Sequence, residues 1–263
     1  MTGRRGFTLA ILQARSTSSR LPGKVLLPLA GEPMVLRQLE RIGRASSVDG
    51  IVVATSDDPS DDRLAVTLAD AGYDYVRGPL DDVLGRFIVA LDECQPDVVV
   101  RLTADCPLIS PSVIDAVVYR FHSSSADYVS NTMQPTYPDG LDVEITTASV
   151  LREVAASTDA HEREHVTLGI YRQPEQFVIE NFADPTGRDN SNLRWTVDNA
   201  DDFTFVSEIY RQLFPQDFDY EDILALLSTN PQLNRTEADA PRNGALDGLE
   251  TGAMRHSNSK DWQ

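Results

Sequence analysis

Residues 7–29 read FTLAILQARSTSSRLPGKVLLPL. Phe7–Leu12 is an apolar run of strand length with no helical period. Behind it, Arg15, Arg20 and Lys24 share one loop with Ser16, Thr17, Ser18, Ser19 and the Pro22-Gly23 turn. The cations lie on a short turn beside glycine and serine, not at helical spacing, so a solvated basic helix face is the weaker explanation. Forked arginine donors, a lysine point charge and small hydroxyls are the groups that hold a polyphosphate.

The charge distribution points the same way. The 263-residue chain carries a net charge of −18. Residues 1–45 hold eight basic residues (Arg4, Arg5, Arg15, Arg20, Lys24, Arg37, Arg41, Arg44) against Glu32 and Glu40, a local +6, so the remainder sums to −24. A basic focus in an acidic protein concentrates an anionic ligand at one place. The acidic remainder leaves no broad basic surface for nucleic acid. Lysine occurs only at positions 24 and 260, which singles out Lys24. No apolar run approaches the roughly 18 residues that span a bilayer, and the start carries no signal-peptide pattern. A cytoplasmic protein with no membrane partner is therefore expected. Cys94 and Cys106 are too few and too scattered for a disulfide framework or a structural zinc site.

Outward from the first strand, the pattern alternates. Helices are expected over 33–45, 61–71, 81–94 and 111–121, and strands over 50–54, 73–76 and 97–102. Near-continuous apolar strands between amphipathic helices mean a three-layer α/β fold with a mostly parallel sheet covered on both faces. Such sheets bind ligands at the carboxyl ends of their strands, which brings the basic loop close to Thr103–Pro107. The second half is less regular. Strands are expected over 127–130, 141–145, 177–182 and 192–197, with helices over 148–156, 162–171, 200–213 and 220–227. One domain over residues 1–230, with an acceptor or dimerisation subregion at about 125–182, and a disordered tail over 231–263 account for the length. A homodimer is expected from the second-half strands.

Neither G-x-x-x-x-G-K-[ST] nor G-x-G-x-x-G follows the first strand, and Gly23-Lys24 is followed by Val25. Ordinary P-loop and dinucleotide folds are thereby excluded. A triphosphate carries about four negative charges, more than three side chains neutralise, so a magnesium ion on one or two carboxylates is expected as well. Asp105, after DVVVRL, and Asp198, after LRWTV, both fall at strand ends; helix capping is the plain alternative for either. Arg101 is a candidate nucleotide contact, or else a buried arginine paired to a core carboxylate. Asp142 and Glu144 share one face of an alternating strand and are candidates for binding an acceptor. Arg77 and Asp82 lie near a loop and a helix start, where Asp81 or Asp82 is a candidate cap. His161-Glu162-Arg163-Glu164-His165 matches the zinc-protease pattern H-E-x-x-H, but its flanks are charged and no clear third ligand follows.

Five segments in order, QARSTSSRLPGKVL, RLTADCPLI, YPDGLDVE, EREHVT and RWTVDNADDFTFV, resemble the spore-coat-polysaccharide-type cytidylyltransferases, relatives of the CMP-Kdo and CMP-sialic acid synthetases. The resemblance runs from about residue 7 to about residue 215. It implies a glycosyltransferase-A-like nucleotide-diphospho-sugar transferase fold that uses CTP and Mg2+. It places Arg15, Ser19, Arg20 and Lys24 on the CTP-phosphate loop; Ser18, Arg77 and Arg101 join them as candidate nucleotide contacts on their position in the sequence. Asp105 and Asp198 fall on the two metal positions, and His165 fits the REHVT motif as an acceptor-site or structural residue. Arg15, Lys24 and Asp105 are then the catalytic set. The implied reaction is transfer of CMP from CTP to a sugar acid or related anionic acceptor, with release of pyrophosphate. A metal-dependent glycosyltransferase and a non-catalytic nucleotide-binding protein are the alternatives.

Overall fold

The computed structural model describes residues 6–157 and 159–236. In chain order the elements are β1 (Thr8–Gln13), β2 (Pro28–Leu29), β3 (Glu32–Pro33), α1 (Met34–Ile42), β4 (Gly50–Ser56), α2 (Asp62–Asp70), β5 (Tyr75–Gly78), α3 (Val83–Cys94) and β6 (Val98–Thr103). There follow α4 (Pro111–Ser123), β7 (Tyr128–Ser130), β8 (Glu144–Thr147), α5 (Ala148–Ser157), α6 (Ala160–Glu164), α7 (Leu168–Tyr171), β9 (Ile179–Asn181), α8 (Ala200–Leu213) and α9 (Tyr220–Thr229). The main sheet runs β5-β4-β1-β6-β8-β7-β9. Strands β5, β4, β1 and β6 are parallel, and β8 pairs antiparallel with both β6 and β7. No helix among the described residues is long and apolar enough to cross a membrane.

Strand β1 decides the layering. Its side chains alternate across the sheet. Ala10 and Leu12 join one core with Leu39 of α1, Ile114 of α4 and Ile209 of α8. Leu9 and Ile11 join the other with Phe87 and Leu91 of α3 and Leu151 of α5. Two apolar faces on one strand require helices on both sides, which gives the expected three layers. With β4 and β6 on its flanks, β1 delivers its carboxyl end at Gln13, in register with Thr103 of β6. Both suspected ligand segments therefore start from the same sheet edge.

Several second-half expectations need correction. The strand expected over 141–145 begins only at Glu144, so Asp142 does not share a strand face with it. The cause is Asn131, whose amide donates to the Leu141 carbonyl and accepts from the Val143 N–H, replacing ladder partners there. The helix expected over 162–171 splits into α6 and α7, because Val166 adopts φ +53°, a costly conformation for a β-branched residue. Residues 192–197 form no strand among the described elements. They are held instead by Trp195 N–H donating to the Asp139 carbonyl (2.6 Å) and Val197 N–H to the Asp105 carbonyl (2.8 Å). The tail expected from 231 keeps structure through 236, with Arg194 N–H donating to the Arg235 carbonyl and a bridge between Leu193 and Thr236. Residues 237–263 lie outside the described residues.

The basic focus also divides. Arg41 is buried, donating to the Ile109, Leu108 and Phe218 carbonyls. Arg37 pairs with Glu40 and Arg44 with Asp217. These three cations stitch α1 to its neighbours. Arg4 and Arg5 fall outside the described residues. The cations left near the sheet edge are Arg15, Arg20 and Lys24.

Candidate active site

The loop behind β1 is fixed from beneath by Asp61. Its fully buried carboxylate accepts the Ser16 N–H (2.6 Å) together with the Ser56 N–H and hydroxyl. Gly23 closes the loop by donating to the Ser16 carbonyl at 2.9 Å. Its φ of +71° is the left-handed region that glycine enters without strain. One residue later a single 3₁₀ turn, Lys24–Leu26, buries Val25 in the core and aims Lys24 back across the sheet edge.

Lys24 reaches both expected aspartates. Its Nζ donates to the Val197 carbonyl at 2.7 Å and lies 3.1 Å from Asp198 Oδ1 and 3.5 Å from Asp105 Oδ2. Asp105 follows β6, whose end is held by Gln38 donating to the Thr103 carbonyl at 2.8 Å. Burial pushes the Asp105 carboxyl up, but Lys24 and hydrogen bonds from Thr103 and Cys106 outweigh it and keep the group below its ordinary pKa. The same burial, with the Asp105 charge, raises the Cys106 thiol well above its usual value.

Asp198 precedes the Asn199 cap of α8 and is locked by Arg194, which is 2% exposed. Arg194 donates to Asp198 Oδ2 (2.7 Å), Asp139 Oδ2 (2.9 Å) and Asp202 (3.3 Å). Burial disfavours the Arg194 charge, yet Asp202 and Asp198 more than compensate and raise its pKa. Arg20 is the third cation on Asp198, at 2.9 Å. Asp139 of the YPDG turn thus serves the carboxylate site through Arg194. Gly140 lets that turn press against the 195–196 backbone, where a Cβ would meet Thr196 N at 2.7 Å.

Arg15, Ser18, Ser19, Arg20, Lys24, Asp105 and Asp198 line one cavity of about 290 Å³. A second cavity, about 190 Å³, shares Gln13, Ala14 and Arg15 with it and is completed by Arg86, Arg101, Glu164 and His165. Three expected site residues lie elsewhere. Arg77 donates to the Ser56 and Asp58 carbonyls and pairs with Asp62, bracing the β4–α2 connection. Asp142 lies near enough to Cys106 to raise its thiol pKa, and lines neither cavity. Glu144 is buried and pairs with Arg101 while accepting from Tyr128 (2.8 Å), Tyr171 (3.0 Å) and Thr167. Of the two histidines in H-E-x-x-H, His165 lines the second cavity and His161 is exposed. Asp82 caps α3 by accepting the Gly85 N–H.

The carboxylate pair fits a hard divalent cation. Asp105 and Asp198 turn oxygens toward one positive charge, the Lys24 ammonium, so the locus between them already favours a cation. Oxygen-only donors are the set magnesium prefers. Among the described residues no group of three or more His, Cys, Asp or Glu side chains converges. An ion held by these two carboxylates would take its remaining ligands from phosphate oxygens and water.

Three site features escaped the sequence reading. Arg86 falls with Val83, Phe87 and Ala90 on the buried stripe of α3. A charged residue at an apolar-stripe position was a legible signal. Asp61 and Arg194 gave none: Asp61 reads as an ordinary acid at a helix start, and Arg194 falls in a stretch expected as a strand, where residues four apart do not meet, although here it pairs with Asp198.

A parallel sheet carrying a cationic loop and two carboxylates at its carboxyl edge defines a nucleotide-handling α/β enzyme. The chain belongs to the cytidylyltransferase family, which it matches over residues 9–239. It is 29% identical over 230 residues to the spore coat polysaccharide biosynthesis protein SpsF of Bacillus subtilis, covering 85% of this chain and 95% of that one. It is 32% identical over 196 residues to a 3-deoxy-manno-octulosonate cytidylyltransferase of Anaeromyxobacter sp. (strain Fw109-5), covering 68% and 77%. A solved cytidylyltransferase from Leptospira borgpetersenii serovar Hardjo-bovis matches with a TM-score of 0.82 and 29% identity, over 86% of this chain and 96% of that one. The fold is that of the nucleotide-diphospho-sugar transferases, and the chain is a CTP-dependent nucleotidyltransferase.

Proposed function

We propose that this enzyme transfers CMP from CTP to a sugar acid or similar anionic acceptor, with Mg2+ held by Asp105 and Asp198. The observation that carries this is Lys24, whose ammonium stands between those two carboxylates at the mouth of the basic loop. An acceptor oxygen attacks the α-phosphorus, the bond to the β-phosphate oxygen breaks, pyrophosphate leaves and the acceptor proton passes to solvent. When bound, the ion neutralises phosphate charge. Arg15, Ser18, Ser19 and Arg20 grip the triphosphate from the loop. Lys24 stabilises negative charge gathering on the departing pyrophosphate, a role that needs fixed placement, which its bond to the Val197 carbonyl provides. Arg15 borders both cavities and so faces the reacting phosphate from the acceptor side. Positioning supplies much of the remaining rate.

The test is pyrophosphate release from each of CTP, UTP, ATP and GTP against a panel of sugar acids, with and without Mg2+. CTP with an acid and Mg2+ is the expected productive combination. Turnover of a nucleotide sugar in place of CTP would refute the assignment.

A further inference from the structure

The second cavity holds a charge that the nucleotide site does not use. Arg86 is 2% exposed, and among the described residues only its Nη1 is hydrogen-bonded, to the Pro79 and Leu80 carbonyls. Its Nε is buried and meets no acceptor. Asp61, Asp82 and Asp57 act on it at longer range, and none forms an ion pair with it among the described residues. Asp82 pairs with Arg163 and caps α3, while Asp61 is bonded to Ser16 and Ser56. A buried guanidinium without a counter-ion is costly. Burial and the neighbouring Arg15 accordingly lower its pKa.

The surroundings are built to keep it there. Gly78 has no side chain, and a Cβ at that position would stand 3.1 Å from Arg86 Cγ. Among the other groups on the cavity wall, Glu164 adds an exposed carboxylate, and the rest are balanced, uncharged or shared. Arg101 is matched by Glu144. His165 is held below its ordinary pKa, chiefly by burial, and is neutral near pH 7. Arg15 is shared with the triphosphate cavity. Arg86 and Arg15, neither of them in an ion pair among the described residues, set against the single Glu164 carboxylate leave the cavity wall net positive.

The geometry points to Arg86 as the specificity-determining residue of this enzyme, binding a carboxylate of the acceptor through Nη2, the guanidinium nitrogen that is neither hydrogen-bonded nor sealed off among the described residues. The inference rests on the cytidylyl-transfer reading above. A carboxylate suits the site better than a phosphate. It is a monoanion whose charge one guanidinium balances, whereas a dianion would leave charge uncompensated in a cavity of about 190 Å³.

The test uses the full chain with CTP and Mg2+. Kdo and N-acetylneuraminate serve as carboxylate probes, mannose 6-phosphate as the phosphate probe and mannose as the neutral one. For the acid that is turned over, Arg86→Gln should raise KM about 10- to 100-fold, the loss of a charge-assisted hydrogen-bonded contact. The KM for CTP should stay within about twofold. Should Arg86→Gln fail to fold, Arg86→Lys keeps the charge without the Nη2 donor and should still raise KM about tenfold. An unchanged KM for the acid in the folded variant overturns the inference. So does turnover of the phosphate or neutral sugar alone, or CTP binding with turnover of neither acid; these leave the nucleotide site standing. Failure to bind CTP overturns both.

Discussion

Replacing Lys24 by methionine keeps the side-chain stem and removes the charge. The ammonium makes three contacts: the Val197 carbonyl at 2.7 Å, Asp198 at 3.1 Å and Asp105 at 3.5 Å. Asp198 would retain Arg20 and Arg194. Asp105 would retain only hydrogen bonds from its own turn. The Val197 carbonyl would lose a partner, and leaving a buried acceptor unpaired costs about 1–3 kcal/mol. Asp105 can protonate or take up water, so the combined loss of stability is set at about 2 kcal/mol, near 4–8 °C in Tm for a domain of this size. The catalytic loss should be larger. Removing one fixed donor to developing oxyanion charge costs about 10²- to 10³-fold in kcat. Pyrophosphate release under saturating CTP and Mg2+ reads the second quantity, and thermal melting reads the first. A folded Lys24→Met enzyme within about threefold of wild-type kcat would show that the ammonium does not act on the leaving group.

Other expectations follow from single contacts. Asp61→Asn weakens the anchor under Ser16 and should raise the KM for CTP severalfold in steady-state assays while costing about 1–3 kcal/mol in denaturant unfolding. Gly140→Ala places a Cβ 2.7 Å from the Thr196 nitrogen at φ +109°, so a loss of about 3 kcal/mol or more should appear in thermal melts, together with reduced activity as the segment before Asp198 shifts. His165 has its pKa lowered on folding, chiefly by burial, so the unfolded chain binds its proton more readily. Stability from this group is present above about pH 6.5 and is lost as the pH falls. Melts between pH 8 and 5 should show a smaller decline for His165→Gln than for wild type.

Much of the first half was legible because parallel strands buried on both faces are written as unbroken apolar runs, as in β1, β4 and β6. Their carboxyl ends then locate the loop and Asp105 with no further information. The cap at Asp82 was legible for a local reason too, since its partner Gly85 is three residues away. The second half resisted because side chains replace backbone ladders there. Asn131 takes the place of strand pairing at 141–143, and Val166 breaks a helix whose apolar period continues. Arg77 lies outside both cavities for a related reason. An arginine at a strand end reads as a ligand, but here it is consumed by two carbonyls and Asp62. Arg86, nine positions later, carried its signal in an apolar stripe, which hydrophobic periodicity alone does not weigh.

The central claim is that the basic loop and the two aspartates hold one CTP–metal complex. A crystal structure with CTP and manganese, the ion located by its anomalous signal, tests this most directly. The ion should lie about 2–2.5 Å from oxygens of Asp105 and Asp198, with the triphosphate against Arg15, Arg20 and Lys24. An ion elsewhere, with both aspartates still paired only to protein cations, would contradict it.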